Sequence, residues 1–171
     1  MLTPNQEGYL TTIPTGKIAH IHPFDPAVQI VAQEIIGEIA DLCPIAPVYY
    51  IGSSKLGIAG ENDIDLTVLG EEGFEGCLDV LERNYGTPVV RNLAQKYAKW
   101  EFVRGGFPVE LHLGGFMDAN LQEQIDSCLI LEESPELRAE YESLKWECDG
   151  LPWREYLRRK YEFWNRILGI E

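Results

Sequence analysis

A fourteen-residue stretch, Gly52-Ser53-Ser54-Lys55-Leu56-Gly57-Ile58-Ala59-Gly60-Glu61-Asn62-Asp63-Ile64-Asp65, constrains this chain more than any other part of it. It follows the apolar run Val48-Tyr49-Tyr50-Ile51 and ends where Asp63 and Asp65 alternate with Ile64, Leu66 and Val68. In a strand, residues i and i+2 share a face. The alternation therefore sends Ile64, Leu66 and Val68 into a core and projects Asp63 and Asp65 together. Two carboxylates held side by side repel each other unless a proton or a cation lies between them. A divalent ion with oxygen ligands, Mg²⁺ or Mn²⁺, suits that place. The Gly-Ser turn upstream offers backbone N–H groups and hydroxyls to phosphate oxygens, which makes Gly52, Ser53 and Ser54 candidate phosphate contacts. The segment predicts a site for a metal-bound nucleotide.

A two-metal phosphoryl-transfer site needs a further acid. Val109-Glu110-Leu111-His112-Leu113 alternates as a strand, so Glu110 and His112 share the face opposite three core residues. Beside Asp63 and Asp65, Glu110 is the candidate third metal ligand and the catalytic carboxylate that would position or deprotonate the attacking hydroxyl. Cationic candidates for the phosphates come from the C-terminal helices. At 100° per residue, Lys160 falls inside the apolar stripe of Trp153, Tyr156, Leu157, Trp164 and Ile167, where a Lys either snorkels out or meets an anion. Lys145 sits on the flank of its stripe and has the weaker claim. His20 and His22 read as surface residues, and no Gly-Lys-Ser/Thr completes a Walker loop.

The order of elements predicts an α+β fold. Residues 1–16 show no periodicity and read as a surface lead-in, with Ile18–Ile21 a short edge strand. Asp25-Pro26 opens a helix that Cys43-Pro44 stops. Strands are expected at 47–52, 63–69, 89–91, 96–104 and 107–113, with a helix from Glu71 to Tyr85 and a Gly105-Gly106 hairpin. Asp118, Ser134-Pro135 and Asp149–Pro152 then open three helices. Residues 17–116 are the expected sheet core and 117–171 a helical segment packed on it. The chain of 171 residues carries 28 acidic against 14 basic residues, a balance ill-suited to gripping nucleic acid. No apolar run is long enough to span a membrane. The N-terminus lacks signal-peptide character, and Cys43, Cys77, Cys128 and Cys148 have no metal-binding spacing. Those features imply reduced thiols and a cytoplasmic location.

Gly52-Ser53, nine residues, then Asp63-Ile64-Asp65 resembles the signature of the polymerase-beta-like nucleotidyltransferase superfamily. More narrowly, the chain resembles the GrpB family. Pro23-Phe24-Asp25-Pro26, Ile51-Gly52-Ser53-Ser54, Gly57-Ile58-Ala59-Gly60, Tyr141-x3-Lys145 and Tyr156-x3-Lys160-x2-Phe163 carry that likeness. It implies a nucleotidyltransferase-like mixed sheet with flanking helices, metal ligation by Asp63 and Asp65 with Glu110, and phosphate contact at Gly52 and Ser53. It also implies a nucleoside triphosphate and a small-molecule acceptor as partners. Glu61 and Glu132 stand where relatives are often basic, so the metal half of the site is the firmer half. The expected function is Mg²⁺-dependent nucleotidyl transfer. The alternative is a nucleotide- or metabolite-binding protein that keeps the fold without turnover.

Overall fold

The alternation of β2 (Ile64–Leu69) organises the sheet. Ile64, Leu66 and Val68 are fully buried against one layer of helices, and Asp65 emerges on the opposite face. The computed structural model describes residues 1–170. In chain order the remaining elements are α1 (Pro4–Thr12), α2 (Ala27–Leu42), β1 (Val48–Ile51), α3 (Gly52–Leu56), α4 (Phe74–Tyr85), β3 (Val90–Asn92), β4 (Tyr97–Arg104), β5 (Phe107–Gly114), α5 (Ala119–Glu133), α6 (Pro135–Glu147) and α7 (Trp153–Leu168). The five strands lie in the order β1-β2-β5-β4-β3. Only β2 and β5 run parallel, and their register sets Asp65 beside Glu110 and Thr67 beside His112. This is the α+β arrangement expected from the sequence, a mixed sheet with flanking helices and a C-terminal helical segment.

The main core lies between the sheet and the pair α2 and α4. Val28, Ala32, Ile35 and Ile39 of α2 meet Phe74, Leu78 and Leu81 of α4 over Leu66, Leu111 and Trp100. Burial of such side chains, each worth about 1.5–3 kcal/mol, fixes which face of β2 and β5 is left for polar residues. The C-terminal helices have smaller cores of their own. Ile58 joins Leu131, Tyr141 and Phe163, while Ala59 joins Ala19, Ile21, Cys148 and Tyr156. The loop between the Gly-Ser turn and the Asp pair is thus the surface on which α5, α6 and α7 dock.

Several expectations need correction. Residues 1–16 are not an unstructured lead-in: Pro4–Thr12 is a helix with a Thr3/Gln6 capping box. Leu10 and Ile13 pack on Leu157 of α7, and Glu7 receives both terminal nitrogens of Arg158 at 2.7 and 2.9 Å. Its few apolar positions hid the helix, although Thr3-Pro4-x-Gln6 carried the start signal. Ile18–Ile21 is not a strand; isolated bridges pair Ile18 with Pro152 and His22 with Gly60. The first expected strand ends at Ile51, because Gly52, at φ 88°, already starts α3. The helix expected from Glu71 starts at Phe74, after a turn closed by Gly73. Among the described residues, no helix is long and apolar enough to cross a membrane.

Ile58 belongs to both the loop and the helical core. Ile58→Ala should therefore cost about 2–5 kcal/mol in urea unfolding. Hydrogen exchange should rise in α6 and α7 as well as in residues 57–63.

Candidate active site

Gly52 and Asp65 touch. A Cβ built on Gly52 would lie 2.5 Å from Asp65 Oδ2, and the residue's φ of 88° is one that side chains rarely tolerate. Only glycine lets the turn after β1 rest on the carboxylate from β2. Gly60 makes a similar approach to Ser53, whose Oγ would lie 2.7 Å from an added Cβ. The hydroxyl of Ser54 donates to the backbone carbonyl of Asp63 at 2.5 Å. Ser54 is buried and ties the turn to the acid pair from below.

The carboxylates are held at a cost. Burial, reinforced by the Asp63 charge, pushes the Asp65 carboxyl well above the usual range. Asp63 is raised for the same reasons, burial first and then the Glu61 charge, with Lys145 opposing. Glu110 behaves differently. His112, whose Nε2 lies 3.6 Å from Oε2, and, against its burial, the Lys99 ammonium bring it down to about 2. Lys99 Nζ lies 2.9 Å from Glu110 Oε2 and 2.7 Å from Glu101. His112 Nδ1 meets the Tyr97 hydroxyl at 2.8 Å. Glu110 stands next to Asp65 in register but is already paired.

Behind the loop lies a buried cation. Lys145 is 1% exposed. Its Nζ donates to Tyr156 Oη at 2.5 Å, stands 3.5 Å from Glu61 Oε2, and lies 5.2 Å from the Tyr141 ring centroid. Burial lowers its pKa despite Glu61. Burial alone would raise Glu61, but Lys145 and then Lys160 outweigh it and hold the carboxyl below its ordinary value. The Ala59 N–H donates to Glu142 of the same helix at 2.8 Å. Lys160 is partly exposed, with Nζ 4.5 Å from the Trp164 ring centroid, and it lines a cavity together with Gly52 and Asp65.

The donor set can be judged against a divalent cation. Among the described residues, no group of three or more His, Cys, Asp or Glu side chains forms a cage for a metal. Mg²⁺ seldom uses such a cage; it is bound through one or two carboxylates with water and substrate phosphates completing its shell. Asp63 and Asp65, each raised by burial first and by a neighbouring carboxylate second, supply two such carboxylates.

A curated relative, a UPF0157 protein of Vibrio cholerae serotype O1, is 31% identical over 146 residues, which cover 77% of this chain and 71% of that protein. The chain belongs to the UPF0157 family. No protein-family model matches it. Among solved structures, the conserved protein GrpB from Enterococcus faecalis superposes with a TM-score of 0.65 at 16% identity, covering 86% of this chain and 99% of that one. That likeness shows a common fold and agrees with the GrpB resemblance of the motifs. A structure of the Cid1 poly (U) polymerase with MgGTP bound is a looser match, with a TM-score of 0.48 and 15% identity over 82% of this chain and 44% of that one.

In this UPF0157 chain the structure gathers Gly52, Ser53, Asp63, Asp65 and Lys160 around one loop and sets Glu110 on the neighbouring strand. The two lysines occupy different places in the fold. Lys145, the weaker candidate, is the buried one and is spent on Glu61 and Tyr156, whereas Lys160 borders open space. Glu61 is not a free acid in a basic position, because its charge is matched from α6. Glu132, the other acidic departure, pairs with Lys55 at 2.7 Å. Sequence reasoning missed Glu61, Tyr141 and Tyr156 as partners of Lys145. The spacing of Tyr141 and Lys145, one helical turn apart, was the available signal.

Three outcomes follow from these contacts. Lys145→Met strands Glu61 and should destabilise by about 3–5 kcal/mol, and adding Glu61→Gln should recover most of that loss in chemical denaturation. Gly52→Ala should cost about 1–3 kcal/mol through its backbone conformation and its clash with Asp65. Asp65 has a folded pKa above its unfolded value, so its ionisation opposes folding: the protein keeps the associated stability below about pH 4 and loses it as pH rises through the raised value. Asp65→Asn should therefore match the parent near pH 4 and exceed it by about 0.5–2 kcal/mol at neutral pH without divalent cations, as thermal unfolding across pH would show.

Proposed function

We propose that the protein transfers a nucleotidyl group from a Mg²⁺- or Mn²⁺-bound nucleoside triphosphate to the hydroxyl of a small acceptor. The contact between the Gly52 backbone and the Asp65 carboxylate, with Asp63 alongside, carries this reading. It sets the glycine turn against two acids that a cation would relieve. Asp63 and Asp65 would hold the ion, which when bound neutralises phosphate charge and acidifies the attacking hydroxyl. Gly52 and Ser53 would cradle phosphate oxygens, and Lys160 would supply the positive charge that Lys145, enclosed behind the loop, does not. The acceptor oxygen bonds to the α-phosphorus as the bond to pyrophosphate breaks, and the hydroxyl proton passes to solvent. Glu110, held at about 2, is too weak a base to take that proton at neutral pH. Its role is to fix the acceptor or complete the metal shell. Most of the rate gain would come from positioning and charge neutralisation.

A second reading, a nucleotide-binding protein without turnover, draws support from the Lys99 pair that occupies Glu110. The two readings agree on binding and differ on product. Calorimetry should show Mg²⁺-dependent nucleotide binding that Asp63→Asn with Asp65→Asn abolishes; undiminished binding by the folded double variant contradicts both readings. Pyrophosphate release, with a mixture of small polyols as acceptors, separates them. Release above the double-variant background supports transfer, and tight binding with no release supports the binding protein.

A further inference from the structure

Two buried polar groups line one cavity beside Asp65, and neither has a hydrogen-bond partner among the described residues. They are Ser127 Oγ, on a residue 1% exposed, and the indole N–H of Trp164. Native proteins satisfy nearly all such groups, and each one left unpaired costs about 1–3 kcal/mol. Two in one cavity point to a ligand. The cavity lies between α3, α5 and α7, with apolar walls from Ile51, Leu56 and Leu131, and with Asp65, Gln124 and Lys160 also on its lining. Its volume is about 40 Å³. At roughly 10–15 Å³ for each water-sized occupant, that space takes about three or four small groups and excludes a nucleobase.

We propose that this cavity seats the acceptor, and that its ligand is the hydroxyl-bearing end of a small neutral alcohol or polyol. The inference rests on the nucleotidyl-transfer reading for the word acceptor, but the choice of ligand comes from the walls. The Trp164 indole only donates, so the ligand must offer a lone pair. The Asp65 carboxyl keeps an acceptor oxygen in either protonation state, so a proton offered by the ligand finds a partner there. Ser127 and Gln124 do either. A hydroxyl is the smallest group that meets both demands, and vicinal hydroxyls fit the volume. Asp65 and Lys160 both line the space, so a neutral end is the one that sets no like charge against either. The short apolar walls suit the carbon stem.

The test follows the four tryptophan indole N–H signals by ¹H–¹⁵N NMR on the intact protein, with Trp164→Phe to assign the relevant one. Ethane-1,2-diol is titrated without nucleotide or metal, against acetate and ethylammonium as charged counterparts of similar size. The Trp164 signal should move downfield and saturate, while those of Trp100, Trp146 and Trp153 show only the common solvent drift. Ser127→Ala should weaken the diol about five- to tenfold while leaving the free protein as stable or more so, because it removes an unpaired buried hydroxyl. The proposal is overturned if the Trp164 signal moves no more than the other three, if either charged probe binds as well as the diol, or if Ser127→Ala binds it unchanged. Failure here leaves calorimetric nucleotide binding untouched. Loss of nucleotide binding leaves the diol shift standing, so the two readings fail separately.

Discussion

The buried ammonium of Lys145 is the contact on which the rest of the arrangement depends. A lysine enclosed to 1% exposure is tolerated only if its charge and its three donors are met. Glu61 from the loop meets the charge and takes one donor, the Tyr156 hydroxyl from α7 takes a second, and the Tyr141 ring faces the ammonium. Those partners lie on separate segments that also meet through Ile58 and Ala59. The pair docks the helical segment on the loop together with those two residues, which enter its two small cores. Asp63 lies two residues beyond Glu61, so the same clamp sets where the carboxylates begin.

Against that rigid backing the two aspartates are held in a condition the fold alone does not favour. Burial raises both, with the Glu61 charge adding to Asp63 and the Asp63 charge adding to Asp65, while Glu110 on the adjacent strand is relieved by His112 and Lys99. Stored electrostatic tension in one pair of acids and its absence in the next is a division of labour. Asp63 and Asp65 gain most from a cation, whereas Glu110 is stable without one. The unpaired Ser127 hydroxyl and Trp164 indole extend the pattern to the cavity alongside. The costs of the native state gather around Asp65, and each is of a kind that a bound ligand would offset.

The sheet and its helices were legible because their signals were local. Period-two alternation in 64–69 and 109–113, Gly105-Gly106, Ser134-Pro135 and Asp118 each acts within a few residues, and each appears where expected. The Asp63–Asp65 pair and its Gly-Ser turn were legible for the same reason. The N-terminal helix was missed because its stability comes from α7, through Leu157 and Arg158, and not from its own weak pattern. Lys145 and Glu61 are 84 positions apart, and no periodicity in either segment reports on the other. The acidic Glu61 looked like a lost basic group because its compensating cation is supplied from another helix. The polar lining of the cavity was hidden too, since Ser127 and Trp164 are ordinary residues until the fold leaves them without partners.

The central claim is that the Lys145 clamp holds Asp63 and Asp65 as a cation site for a nucleotide. Crystals grown with Mn²⁺ and a non-hydrolysable nucleoside triphosphate, measured for anomalous scattering, address it directly. The account predicts a manganese peak shared by the Asp63 and Asp65 carboxylates, with phosphate oxygens on its other side and Lys145 still enclosed against Glu61. A peak elsewhere on the chain, or a bound triphosphate with no manganese at that pair, would contradict it.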